Sequence, residues 1–172
     1  MNEKLKTTIL YGSSTGNTRN AAATIAMHFE HALLLDIQNA RKNDLEKPDL
    51  LILGISTWGL GDLQYDWYEF LKILQKANLK DKTVALFGLG DQQNYADTFV
   101  DALGTLYDLI NDKAKVIGFW PNKGYNLYNS KALENGYFKG LVLDFDNEPE
   151  KTDKRIESWC KQLKAELNQP QS

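Results

Sequence analysis

Short apolar runs alternate with longer amphipathic stretches along the whole chain. The runs are rich in apolar and β-branched residues and are closed by glycine or polar residues, a pattern typical of buried strands. We therefore predict five strands, at residues 7–11, 33–37, 50–55, 83–89 and 115–119.

Between these runs, apolar residues recur at spacings of three and four, which predicts amphipathic helices. Alternation of strand and helix predicts an α/β fold, a doubly wound parallel sheet with helices on both faces. Residues 120–140 are rich in Gly, Asn, Tyr and Lys and are too long for an ordinary connection, so we expect an insertion near the last strand. The helical stretches are residues 17–30, 64–75, 99–110 and 153–167.

Length and cysteine content narrow the class of protein. No break in composition divides the 172 residues, so we expect residues 1–172 to form a single domain. One cysteine excludes a disulfide framework, and Cys160 with His28 and His31 is too small a set for a structural zinc site. We expect Cys160, beside Trp159, to be a buried thiol rather than a redox group.

The apolar runs are too short for a signal peptide or a membrane span, which predicts a cytoplasmic protein without a membrane partner.

The net charge of −3 is unevenly distributed. Three windows, residues 56–70, 88–101 and 141–150, contain ten of the 23 acids and no base. We expect a negative surface wherever these windows meet in the folded chain. The lysines elsewhere are scattered, whereas nucleic-acid binding needs a clustered basic face, so we expect no nucleic-acid partner.

The loop after the first predicted strand is dense in hydroxyl groups and leads into a helix. Ligands of an open α/β sheet bind at the carboxyl ends of its strands, and a helix start offers free N–H groups to an anion. Four hydroxyls within six residues exceed what one helix cap needs, which favours a phosphate site over a Ser/Thr-rich cap without a ligand. Three residues separate Gly12 from Gly16, which excludes a P-loop. The predicted phosphate residues are Ser13, Ser14, Thr15, Gly16, Asn17 and Thr18.

The loops after the third and fourth predicted strands each place an aromatic residue among glycines at the same sheet edge. Trp58 lies in Ser56-Thr57-Trp58-Gly59-Leu60-Gly61-Asp62, and Tyr95 ends Gly88-Leu89-Gly90-Asp91-Gln92-Gln93-Asn94-Tyr95. A lone loop tryptophan usually packs on the core. Two aromatic residues on neighbouring loops beside a phosphate site instead indicate a planar ligand held between them.

Together these loops resemble those of the flavodoxin family, and the resemblance covers nearly the whole chain. Residues 13–18 are similar to the family's loop for the phosphate of flavin mononucleotide (FMN), and residues 57–62 and 90–95 are similar to its two ring-holding loops. Three later segments resemble the long-chain subgroup of the family, in which an insertion splits the last strand. They are Trp120-Pro121-Asn122-Lys123-Gly124-Tyr125, Gly140-Leu141-Val142-Leu143-Asp144 and Arg155-Ile156-Glu157-Ser158-Trp159.

The resemblance implies a five-stranded sheet of order 2-1-3-4-5 and a monomeric, low-potential one-electron carrier with non-covalently bound FMN. It implies no catalytic residue and no metal. The implied partners are a flavodoxin reductase or other electron donor and acceptor redox enzymes, which dock on an acidic face around the flavin. The implied cofactor-binding residues are Ser13, Ser14, Thr15, Gly16, Asn17, Thr18, Ser56, Thr57, Trp58, Gly59, Gly61, Leu89, Gly90, Asp91 and Tyr95.

Within that site the resemblance assigns separate roles to aromatic, acidic and glycine residues. Trp58 and Tyr95 would sandwich the flavin ring. Asp62 and Asp91 would make a further negative charge on the ring unfavourable and so lower its potential. The Gly59 carbonyl would turn toward a ring nitrogen, which suits a residue without a Cβ.

Two other functions use the same phosphate loop. An FMN-dependent NAD(P)H:quinone or nitro reductase of related fold would also need a pocket for substrate and nicotinamide beside the ring. A flavodoxin-like accessory protein would serve a single metalloenzyme. The colour and the reductive titration of the purified protein separate a carrier from an enzyme.

Overall fold

A parallel sheet forms the centre of the computed structural model, which describes residues 4–169. The helices are α1 (Asn17–Ala26), α2 (Lys42–Glu46), α3 (Asp66–Lys76), α4 (Asp101–Ile110) and α5 (Thr152–Leu167). The strands are β1 (Thr7–Tyr11), β2 (Leu33–Asp36), β3 (Leu50–Trp58), β4 (Asp62–Leu63), β5 (Thr83–Leu89), β6 (Lys115–Ile117), β7 (Trp120–Pro121), β8 (Leu133–Glu134), β9 (Tyr137–Phe138) and β10 (Leu141–Leu143).

The sheet has the predicted strand order, with its fifth strand in two pieces. β1 lies between β2 and β3, and β3 pairs in parallel with β5 along seven residues. The first half of β5 pairs with β6, and its second half pairs with β10. The strands numbered one to five in the order 2-1-3-4-5 are therefore β1, β2, β3, β5 and the β6/β10 pair, which confirms the expected topology.

The predicted insertion separates the two pieces of the fifth strand. It contains a small antiparallel sheet of β7, β9 and β8. Its Tyr125 hydroxyl donates to the Val142 carbonyl oxygen over 2.7 Å and accepts from Trp120 Nε1 over 3.0 Å. Burial is the main reason that the pKa of Tyr125 is raised to about 12. The insertion is thus held against β10 by a partly buried phenol.

Two hydrophobic cores lie on opposite faces of the sheet, because successive strand residues point to opposite faces. Leu51 and Leu53 of β3 pack with α3 and α4, whereas Leu50 and Ile52 pack with α1 and α5. Cys160 is buried in the second core, and this burial raises the pKa of its thiol to about 12. The prediction of a buried thiol is therefore confirmed.

Local boundaries differ from the sequence patterns where a turn replaces a regular element. The first helix ends at Ala26 rather than at residue 30, and the chain turns through His31 with a φ of 57°. The third strand runs on to Trp58, because its last residues pair with β4 as a hairpin. α2 was not predicted, since only Leu45 of its five residues is buried and no apolar stripe marks it. No helix within residues 4–169 combines the length and apolarity needed to cross a membrane.

Candidate cofactor site

A cleft of about 210 Å³ lies where the carboxyl ends of β1, β3, β5 and β10 meet. Twelve of the fifteen predicted site residues line it, so one place in the fold brings all three predicted loops together. Among the residues that the structure describes, Gly16, Gly61 and Tyr95 are the predicted ones outside the lining. The lining residues from the three loops are Ser13, Ser14, Thr15, Asn17, Thr18, Ser56, Thr57, Trp58, Gly59, Leu89, Gly90 and Asp91.

The loop before α1 has the properties of an anion site. Gly16 precedes the helix with a φ of 97°, and its N–H donates to Ser13 Oγ over 3.0 Å. No side chain from residues 4–169 caps α1, and its first turn contains no acid. The guanidinium of Arg19 lies over Gly16, 3.3 Å from the point where a Cβ would stand. Free helix N–H groups, hydroxyls and a cation therefore converge where a phosphate would bind.

The second loop is the hairpin between β3 and β4. Gly59 and Gly61 have φ values of 52° and 103°, a backbone conformation that favours residues without a Cβ. Trp58 is 43% exposed, and its Nε1 donates to Ser56 Oγ over 2.9 Å. Thr57 Oγ1 accepts from the N–H of Ala102 over 3.0 Å, which fixes the loop to the start of α4. Trp58 thus offers an open aromatic face on an anchored hairpin.

The third loop is built around the carboxylate of Asp91. Asp91 Oδ1 accepts from the N–H groups of Gln93 and Asn94, over 3.1 Å and 3.0 Å, and Asn147 Nδ2 donates to the same oxygen over 2.8 Å. Burial alone would raise the pKa of Asp91, but these hydrogen bonds outweigh it and the pKa is lowered. Tyr95 lies one turn further along this loop and is 40% exposed.

Two lining residues, Phe145 and Asp146, are absent from the predicted cofactor-binding set, although Asp146 lies in the acidic window 141–150. Both residues follow β10, the second piece of the split strand. They line the cleft on its β10 side, beyond β5. Burial, followed by the charges of Asp91 and Asp144, raises the pKa of Asp146. The available signal was the apolar run Leu141–Leu143 followed by a polar loop, because it marks another strand that ends at this edge.

The expectation that all three acidic windows contribute to a negative surface is wrong for two of their carboxylates. Asp144 is fully buried and accepts from the N–H and Nε2 of Gln92, over 3.1 Å and 2.8 Å. Asp101 is also buried and accepts from the N–H of Lys131 over 2.8 Å. Buried carboxylates must be hydrogen-bonded, so these two organise loops instead of meeting partners.

A third acid, Glu148, is largely engaged within the chain. Arg155 Nη2 lies 2.7 Å from Glu148 Oε2, and Lys151 Nζ lies 2.9 Å from Glu148 Oε1. Burial raises the pKa of Glu148, but its bonds to Lys151 and Arg155 outweigh this effect and the pKa is lowered. The acids that remain exposed in the three windows are Asp62, Glu69, Asp97, Asp146 and Glu150.

Comparison with known proteins identifies the family. A family model described as Flavodoxin matches residues 9–159. The chain is 46% identical to a flavodoxin of Haemophilus influenzae, covering 92% of this chain and 94% of the relative, and 45% identical to Flavodoxin 1 of Escherichia coli K12, covering 94% of each. The crystal structure of Fusobacterium nucleatum flavodoxin bound to flavin mononucleotide superposes with a TM-score of 0.89 at 31% identity, covering 94% of this chain and 98% of that one. This chain belongs to the flavodoxin family.

Proposed function

We propose that this flavodoxin is a low-potential one-electron carrier that holds FMN non-covalently in the cleft between its three loops. The observation that carries the proposal is the convergence of an uncapped, hydroxyl-rich helix start and an exposed loop tryptophan at one sheet edge. FMN has the matching parts, a phosphate and a flat ring. We also propose that residues 1–172 act as a single domain in the cytoplasm.

The phosphate would bind at the start of α1. The N–H groups of the first turn and the hydroxyls of Ser13, Ser14, Thr15 and Thr18 supply hydrogen-bond donors there, and the helix dipole favours the negative charge. Arg19 adds a positive charge beside the loop. These donors have no acid in the first turn to repel the phosphate, which fits a dianionic group.

The flavin ring would lie against Trp58 and between the hairpin and the Asp91 loop. Bound FMN supplies the one-electron redox chemistry, and the chain tunes it. Asp91 remains charged because four hydrogen bonds stabilise its carboxylate, and Asp62 lies exposed on the neighbouring hairpin. Negative charges beside the ring disfavour adding another, which lowers the potential. Gly59 has a positive φ, and without a Cβ its peptide would turn readily to bring the carbonyl toward a ring nitrogen.

The partners we propose are a flavodoxin reductase as electron donor and redox enzymes as acceptors. The exposed acids, Asp62, Asp97 and Asp146 first, would form the docking face around the cleft and attract basic patches. Electrostatic steering of this kind raises association rates and weakens with salt. A transient redox encounter needs only a small interface, below about 1,200 Å².

Binding of FMN and riboflavin by the apoprotein tests the site. Each charge-assisted hydrogen bond to the phosphate is worth about 1.5–3 kcal/mol, so riboflavin should bind weaker by several orders of magnitude. Equal affinity for the two ligands would exclude the phosphate role of residues 13–18.

The relatives and the solved structure named above are flavodoxins, so an FMN-dependent quinone or nitro reductase is not favoured. Steady-state assays separate the two functions directly. A carrier should oxidise NAD(P)H only when a reductase is added. Rapid oxidation of NAD(P)H by a quinone with this chain alone would support the enzyme instead.

A further inference from the structure

We infer that Gln64 is a positioning residue for the FMN phosphate and acts through the Ser14 hydroxyl, an inference that rests on the proposed function. Gln64 lies directly after β4, outside the three loops that line the cleft. Its side chain connects the hairpin of β3 and β4, which contains Trp58, to the phosphate loop at residues 13–18. The Ser14 that it contacts lies 50 residues earlier in the chain.

The side chain of Gln64 is buried, and its amide nitrogen donates two hydrogen bonds. Only 1% of the residue is exposed. Nε2 donates to Ser14 Oγ over 3.1 Å and to Asp66 Oδ2 over 2.8 Å, and the backbone N–H donates to the Ser56 carbonyl oxygen over 3.1 Å. The Asp66 carboxylate fixes the orientation of the amide, because a flipped amide would bring two oxygens together.

This orientation determines what the Ser14 hydroxyl can do. A serine hydroxyl has one proton to donate and two lone pairs to accept with. Because Ser14 Oγ accepts from Gln64, its own proton stays available for an anion in the phosphate loop. Gln64 therefore pre-orients a donor for the phosphate without needing to touch it.

The carbonyl end of the same side chain makes no hydrogen bond that would stabilise the fold. Within residues 4–169, Gln64 Oε1 is buried without a hydrogen-bond partner. It occupies the space beside Gly12, so a Cβ at that position would lie 2.3 Å from it. A buried amide oxygen without a partner destabilises the folded chain, and an apolar side chain of similar size would avoid that cost. An apolar residue would supply neither the donor bond to Ser14 nor the bond to Asp66 that orients it.

Gln64→Met tests the inference, because methionine has a similar size and no hydrogen-bonding amide. The variant loses the unpartnered oxygen together with the amide bonds to Ser14 and Asp66, and urea unfolding checks that its apoprotein still folds. Its affinity for FMN should fall about two- to tenfold, the range of one ordinary hydrogen bond. Its affinity for riboflavin should not change, because riboflavin has no phosphate.

Ser14→Ala and the double variant complete a cycle that isolates the coupling. If Gln64 acts through Ser14, the double variant should bind FMN no more weakly than Ser14→Ala alone. Gln64→Leu is a second probe in case methionine disturbs the hairpin. Leucine also lacks the amide, so FMN should weaken by the same factor while riboflavin is unaffected.

The outcomes separate the two proposals. Equal binding of FMN and riboflavin by the wild type would refute the phosphate site itself. A wild type that strongly prefers FMN, combined with Gln64 variants that weaken both ligands equally, would leave the site intact and overturn the positioning role. Effects of Gln64→Met and Ser14→Ala that simply add would overturn it as well.

Discussion

Removing the Trp58 ring should weaken flavin binding, and the exposed area of that ring determines by how much. Trp58 leaves 43% of its surface uncovered in the loop. A tryptophan side chain can bury up to about 250 Å², so about 100 Å² is available to a stacked ring. At about 25 cal/mol/Å² this area is worth about 2.5 kcal/mol, or about 70-fold in Kd. Trp58→Ala should therefore raise the Kd for FMN about 70-fold.

Flavin fluorescence titration of the apoproteins measures this effect and its specificity. Riboflavin should weaken by the same factor, because Trp58 contacts the ring and not the phosphate. Trp58→Phe should recover most of the loss. Tyr65→Ala is the matched control, because Tyr65 is 80% exposed in the next segment and lies outside the cleft lining, and it should leave both affinities unchanged. A change of less than fivefold in Trp58→Ala would refute stacking on this ring.

Four other measurements probe the buried carboxylate, the phosphate loop, the acidic face and the Tyr125 phenol. Asp144→Ala should lower the free energy of unfolding in urea by about 3 kcal/mol by leaving buried donors unpaired, against less than about 0.5 kcal/mol for exposed Asp62→Ala. Arg19→Glu should weaken FMN about tenfold at low salt, less at high salt, and spare riboflavin. Asp62→Asn with Asp97→Asn should slow reduction by a flavodoxin reductase in stopped-flow, by less as salt rises. The free energy of unfolding should fall as pH rises from 10 toward 12, because Tyr125 and Cys160 lose their protons more readily in the unfolded chain, and Tyr125→Phe should make this decline shallower.

Each of these results has an opposite that would contradict its reasoning. An Asp144→Ala variant as stable as Asp62→Ala would mean that the buried network contributes nothing. Loss of riboflavin binding in Arg19→Glu would point to the ring rather than the phosphate. Reduction rates independent of salt would mean that charge does not select the partner, and an unchanged alkaline decline in Tyr125→Phe would assign it to another group.

The central strands β1, β3 and β5 were predictable because they are largely buried on both faces. Such strands appear as continuous apolar runs, and the run at residues 83–89 matches β5 at both ends. The hairpin of β3 and β4 was not predictable in the same way. β4 has only two residues and pairs with the end of β3 across a glycine-containing turn. A strand this short leaves no periodic pattern in the sequence.

The site was partly predictable for a similar reason. Hydroxyls, glycines and aromatic residues after predicted strands identify loops at the carboxyl edge, and these loops do meet in one cleft. Counting charges could not distinguish exposed Asp62 from buried Asp144, because burial depends on contacts with Gln92, 52 residues earlier. Nor could local patterns reveal the bond between Gln64 and Ser14, which only the folded hairpin brings together.

Reductive titration of the FMN-loaded protein, followed by absorbance at controlled potential, tests the electron-carrier function most directly. We expect electrons to enter in two separated one-electron steps, with the second well below the potential of free FMN, because the acids beside the ring oppose added negative charge. A single two-electron step at the potential of free FMN would contradict a one-electron carrier tuned by this cleft.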